Sequence, residues 1–207
     1  MSPSTDPQRP RLPWLRFVVV ALLVALDLWS KWAVFEWLSQ PMDALVDSGV
    51  QYWTTPQLAT WRYPLAGDFL GFLLSENRGA AWGLGDSVPW LLVGARVIAS
   101  VVLVGLLWRA PAQQPWTRAA LVLILAGALG NLWDNLTRTP PEGHPFGAVR
   151  DFIHVYFTSF DYHFPTFNVA DSCITVGAGI LIVGGLFGGR REAPAEADGE
   201  QPAVSSQ

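Results

Sequence analysis

Three aspartates in the second half of this 207-residue chain, Asp134, Asp151 and Asp171, are the side chains best suited to chemistry. The spacings Asn131-x-x-Asp134 and Asn168-x-x-Asp171 put an amide and an acid on one helix face, where the amide can orient the acid. Asp134 has Arg138 at i+4, and Asp27 has Lys31 at the same spacing, so each pair can neutralise itself and both acids are expected to be structural. Asp171 has Phe167 and Thr175 at i−4 and i+4, whereas Asp151 has only Arg150 beside it, which at i+1 points elsewhere. Partly buried acids without a local cation resist ionisation, and two of them close together share a proton. Hydrolysis by two carboxylates needs that state: one deprotonates a water while the other protonates the carbonyl oxygen or the leaving amine. A second reading stays open, in which Asn168 caps a helix, Asp171 favours its N-terminus and Asp151 is a solvated loop acid.

Other chemistries find less support. Cys173 is the single cysteine, so neither an intramolecular disulfide nor a CxxC metal site can form. His144, His154 and His163 match neither a zinc signature nor a nucleophilic triad and read as polar residues at a membrane interface. No serine lies in a GxSxG elbow or beside an activating lysine. No cofactor, metal or nucleic-acid partner is expected.

The elements holding these acids are membrane spans. The chain is 51% hydrophobic and 14% charged, with a mean hydropathy of +0.28, too apolar to complete a soluble surface, and 11 Trp suit interfacial anchoring. Crossing the hydrocarbon takes about 20 residues, and stretches 14–38, 89–108, 118–138 and 166–187 qualify. The first is not a secretory signal, because no small-residue cleavage pattern follows Leu26 and the apolar run continues. Arginines near the N-terminus, at 109 and 118, and at 190 and 191 place both termini in the cytoplasm and segments 39–88 and 139–165 outside. Alternation from Asp68 to Ser75, ending at Asn77-Arg78-Gly79, predicts a hairpin or small sheet. The expected fold is an all-α membrane protein, a four-helix bundle with a small extracytoplasmic β-containing subdomain. Residues 1–13 form a cytoplasmic segment, 14–187 the folded domain and 188–207 a disordered tail that carries part of the net charge of −4. Counting from Arg118, Asp134 lies about 24 Å along a span of roughly 30 Å, and Asp171 within roughly 8 Å of the same outer surface. A transporter or assembly factor would instead place its acids near the midplane.

Five runs in order carry a resemblance: Asp27-Leu-Trp-Ser-Lys31, Asn77-Arg-Gly-Ala-Ala-Trp82, Gly127-Ala-Leu-Gly-Asn131-Leu-Trp-Asp134, Val149-Arg-Asp151-Phe152 and Phe167-Asn168-Val-Ala-Asp171. Together they resemble the motif series of lipoprotein signal peptidases (signal peptidase II). The resemblance implies an inner-membrane aspartic peptidase that cuts prolipoproteins before a diacylglyceryl-modified cysteine, and a monomer in contact with membrane lipid is expected. It assigns catalysis to Asp151 and Asp171, and supporting or substrate-binding roles to Asn77, Arg78, Gly79, Asn131, Asp134, Asn168, Ala170, Asp27 and Lys31. The chain departs from the pattern at Asn135, where the family carries arginine, and Arg138 is expected to supply that charge. The first outer loop is enlarged, and residues 140–146 read as an insertion.

Overall fold

The computed structural model describes residues 14–54, 59–79 and 88–188, so the expected N-terminal segment and the tail beyond Gly188 lie outside the described residues. Among the described residues, four helices are long and apolar enough to cross a membrane: α1 (Trp14–Leu38), α3 (Pro89–Arg109), α4 (Pro115–Thr137) and α5 (Val169–Gly188). A short helix, α2 (Met42–Asp47), follows α1. Proline suits a first helical turn, having a fixed φ and no N–H to leave unbonded, and it opens both α3 and α4. Leu22, Leu91, Ile98, Val101 and Ile182 face outward and are exposed, as expected of helices solvated by lipid.

Because lipid already solvates apolar side chains, spans associate through close packing and polar contacts, which favours small residues between them. A Cβ on Gly127 would run into the Ala170 carbonyl, and one on Gly177 would meet Ile124 and the Ala120 carbonyl, so α4 and α5 touch backbone to backbone. A Cβ on Gly130 would lie 2.5 Å from the Asp27 carboxylate, so this glycine admits a charge from α1. At the other end Val20, Leu107, Leu121, Leu125 and Ala126 form the buried apolar core.

The all-α expectation is corrected by a five-stranded antiparallel sheet, ordered β1 (Gln51–Thr54), β2 (Ala59–Ala66), β3 (Leu70–Asn77), β4 (Val149–Phe157) and β5 (Tyr162–His163). The hairpin expected around Asp68 is its β2–β3 unit. Connector 139–165 adds β4, a β-branched and aromatic run that pairs with β3. Buried Arg62 fastens the sheet: its Nε donates to His154 Nδ1 at 3.2 Å, and its other nitrogens donate to the carbonyls of Gly67 and Asp68. Gly71 makes the room, since a Cβ there would lie 2.5 Å from Arg62 Cζ. His154 Nε2 continues to His163 Nδ1 at 3.0 Å. Burial and then the charge of Arg62 push His154 down to about 4, leaving it neutral near pH 7. His154 thus fastens the sheet.

Candidate active site

β4 runs beside α1 and α4, so the sheet meets the bundle where the motif residues gather. Lys31 is fully buried, with its ammonium 2.7 Å from Asp27 Oδ2, 2.9 Å from Asn131 Oδ1 and 3.6 Å from Asp134 Oδ2. Asp27 does more than neutralise Lys31. Its Oδ1 accepts the Ala170 N–H at 2.8 Å, one of the first-turn donors that α5 cannot satisfy itself, so α1 caps α5. Ala170 contributes through its backbone.

The expected Asp134–Arg138 pair does not form. α4 ends at Thr137, and Arg138 adopts an extended backbone (φ −82°, ψ 152°) that removes it from the i+4 position. It pairs with Glu76 at 2.6 Å instead. Asp134 is held by Arg150, whose Nη2 donates to Oδ1 at 2.7 Å while its backbone N–H and Nε reach Oδ2 at 3.0 and 3.3 Å. Strand alternation turns Arg150 away from Asp151 and towards α4.

Asp151 and Asp171 have amide partners. Asn168 Nδ2 donates to Asp151 Oδ1 at 2.6 Å, and Asn77 Nδ2 donates to Oδ2 at 3.1 Å. Asn77 is itself set by the Gly79 N–H at 3.0 Å, while Arg78 between them is exposed. Asp171 accepts from Asn131 Nδ2 at 2.7 Å and from the Asn168 N–H at 3.2 Å, and its own N–H donates to Asn168 Oδ1 at 2.9 Å. The last two bonds are a reciprocal cap of α5, so the capping reading holds for Asp171 without removing it from the site. Asn168 touches both acids, and Asn131 Oδ1 links it to Lys31. Burial first and the charge of Asp171 second push Asp151 up to about 7, against the bonds from Asn77 and Asn168 and the charge of Lys31.

Both acids line a cleft of about 430 Å³ whose wall is largely apolar, formed by Phe164, Phe167, Ile174 and Val176 among others. A second opening of about 350 Å³ meets Asp151 from the side of Glu76, Asn77 and Arg78. Among the described residues, no cluster of His, Cys, Asp or Glu has the arrangement to hold a metal. Ala80, Ala81 and Trp82 of the second motif lie outside the described residues.

Sequence reasoning missed Arg96 and misread Asn135. Asn135 is buried, donates from Nδ2 to the Gly147 carbonyl at 2.8 Å and accepts a bond on Oδ1 from the Arg96 guanidinium. A charge within the apolar run of α3 was the available signal for Arg96.

Comparison with known proteins identifies a family for the chain. The family described as signal peptidase (SPase) II matches residues 19–187. A lipoprotein signal peptidase of Acinetobacter baylyi is 34% identical over 85% of this chain and 83% of its own, and one of Solibacter usitatus is 35% identical over 84% and 92%. A bacterial membrane enzyme solved by the in meso method at 2.3 Å resolution has the same fold, with a TM-score of 0.66 at 22% identity, covering 93% of this chain and 99% of the other. The family match spans nearly the whole described bundle and both amide-held acids, and the chain belongs to the signal peptidase II family.

Proposed function

We propose that Asp151 and Asp171 form the proton-sharing pair of an aspartic peptidase, and that one observation carries this reading. They are the two buried or half-buried motif acids held by amides at an open apolar cleft, while Asp27 and Asp134 are held by cations. The chain is a peptidase that removes signal peptides from prolipoproteins. In the proposed mechanism a water lies between the acids. Asp151, whose surroundings hold a proton near neutral pH, donates it to the scissile carbonyl oxygen as Asp171 takes one from the attacking water. The tetrahedral intermediate then collapses: Asp171 passes its proton to the leaving amine, and the hydroxyl proton returns to Asp151. The net change is addition of one water across the peptide bond.

The apolar wall of the cleft suits a lipid-bearing substrate cut before a diacylglyceryl-modified cysteine. The arginine bias supports cytoplasmic termini and an extracytoplasmic site and sheet. Reporter fusions at residues 60 and 145 should read outside, and a cytoplasmic signal from either would invert this orientation. The decisive assay is cleavage of a diacylglyceryl-modified lipobox peptide by purified, folded protein. Asp151→Asn and Asp171→Asn should each lose about 10³-fold or more in kcat, and the double variant should be scarcely worse, since groups acting as a unit are non-additive. Near-normal turnover by either single variant would sink the pair.

A further inference from the structure

At the end of the bundle away from the acids, α1 and α4 leave a groove of about 680 Å³, lined by Arg16, Val19 and Leu23 from α1 and by Arg118, Val122 and Leu123 from α4. Its lining holds two arginines and no acid. Backbone carbonyls fix both guanidiniums: Arg16 Nη1 donates to Leu107 and Ala110 at 2.7 and 2.9 Å, and Arg118 Nη2 donates to Ala112 at 2.7 Å. Among the described residues Arg118 forms no ion pair, and its Nε is buried without a hydrogen-bond partner, a costly state for a charged donor. The first turn of α4 has neither an acidic side chain nor a side-chain cap, so it supplies no anion to the positive end of its own dipole. Trp14, Trp108 and Trp116 at this end are exposed, and exposed Trp favours the headgroup level. Leu23 lies about 10 Å along α1 from Arg16. The arginines thus stand at the depth of lipid phosphates and the apolar walls at the depth of acyl chains.

We propose that this groove binds one anionic phospholipid of the surrounding membrane, with its phosphate on the Arg118 guanidinium beside Arg16 and an acyl chain against Val19, Leu23, Val122 and Leu123. A guanidinium recognises phosphate through paired donors, and Nε with a neighbouring Nη forms such a pair. Zwitterionic lipids also carry a phosphate, but their own cation cancels the charge that two arginines favour. A second copy of the chain would offer the walls an apolar helix and the arginines no anion, since the first turns of α1 and α4 hold no acid. Arg16 and Lys31 stand about 22 Å apart along α1, so the groove and the acid pair are separate sites.

The test is native mass spectrometry of the full chain released from micelles that hold equal amounts of phosphatidylglycerol and phosphatidylcholine, with unfolding midpoints measured alongside. The wild-type chain should retain one phosphatidylglycerol in preference to phosphatidylcholine, and added phosphatidylglycerol should raise the midpoint, because a ligand of the folded state stabilises it. Arg118→Gln should lower that preference about fivefold, the worth of one arginine at an anionic surface, and leave lipobox-peptide cleavage unchanged. Arg109→Gln, outside the groove, should keep the wild-type preference. Equal retention of the two lipids by the wild-type chain, or equal losses in the two arginine variants, would overturn the site. Inorganic phosphate raising the midpoint as far as phosphatidylglycerol does would overturn the lipid as its occupant, and so would a dimer that phosphatidylglycerol does not dissociate. If Arg118→Gln does not fold, Ala119→Trp, which fills the groove and keeps both arginines, decides. Loss of the bound lipid there supports the proposal, and wild-type retention or failure to fold overturns it.

Discussion

Two groups of carboxylates meet at one end of this bundle, and their partners separate them. Asp27 and Asp134 belong to a four-charge cluster with Lys31 and Arg150, in which two acids meet two bases and the net charge is zero. Asp151 and Asp171 are held by Asn77, Asn131 and Asn168, which orient an acid without fixing it as an anion. Asn131 joins the groups, accepting from Lys31 on one atom and donating to Asp171 from the other. The ionic cluster thus serves as a fixed anchor for an amide layer, and the amide layer leaves its acids able to exchange protons.

Breaking the ionic side should have the largest effect on folding. Arg150→Met leaves Asp134 buried with the backbone N–H of residue 150 and the longer contact to Lys31, its one remaining cation among the described residues, and losing one partner of a buried pair costs about 3–5 kcal/mol. Thermal unfolding in detergent measures it, and an unchanged midpoint would show that the cluster is not structural.

The amide side should instead respond to pH through its rate. The proposed mechanism needs Asp151 protonated, and its surroundings hold it at about 7, so cleavage should fall as pH rises through 7, by about tenfold per unit beyond it. A rate flat to pH 9 in folded enzyme would take the proton-donating role from Asp151.

How much of this contrast was legible depended on chain distance. Asp27–Lys31 and Asn168-x-x-Asp171 lie within one helical turn, so spacing alone placed them. Asp134 shows the limit: the same i+4 rule named Arg138, but the helix stops at Thr137, and the true partner, Arg150, lies beyond a turn and in a strand. The pairing of Arg96 with Asn135 crosses between helices and leaves no local pattern. β4 was missed because its connector was read for polar residues, although its Val, Ile, Phe and Tyr content is strand-like.

The smallest effect offers the sharpest separation of the two groups, because it predicts opposite signs for the same substitution. A carboxyl group held at about 7 in the folded protein, against an ordinary value of 3.8, binds its proton more tightly folded than unfolded. Its contribution to stability is complete below about pH 4 and is lost as pH rises towards 7, amounting to roughly 4 kcal/mol at most. Asp151→Asn removes that loss. The new amide has one acceptor oxygen for the donors Asn77 Nδ2 and Asn168 Nδ2, so one bond is sacrificed at a cost of about 1–3 kcal/mol. The net gain should be about 1–3 kcal/mol at pH 8; by pH 4, where the wild-type acid is already protonated, the gain should be gone and the sacrificed bond should leave a net cost of about 1–3 kcal/mol. Asp134→Asn, which removes a charge that Arg150 and Lys31 both need, should destabilise the fold at pH 8. Unfolding midpoints of both variants at the two pH values test the pair of signs. Destabilisation by Asp151→Asn at pH 8 as large as that by Asp134→Asn would erase the distinction between an amide-held and a cation-held acid.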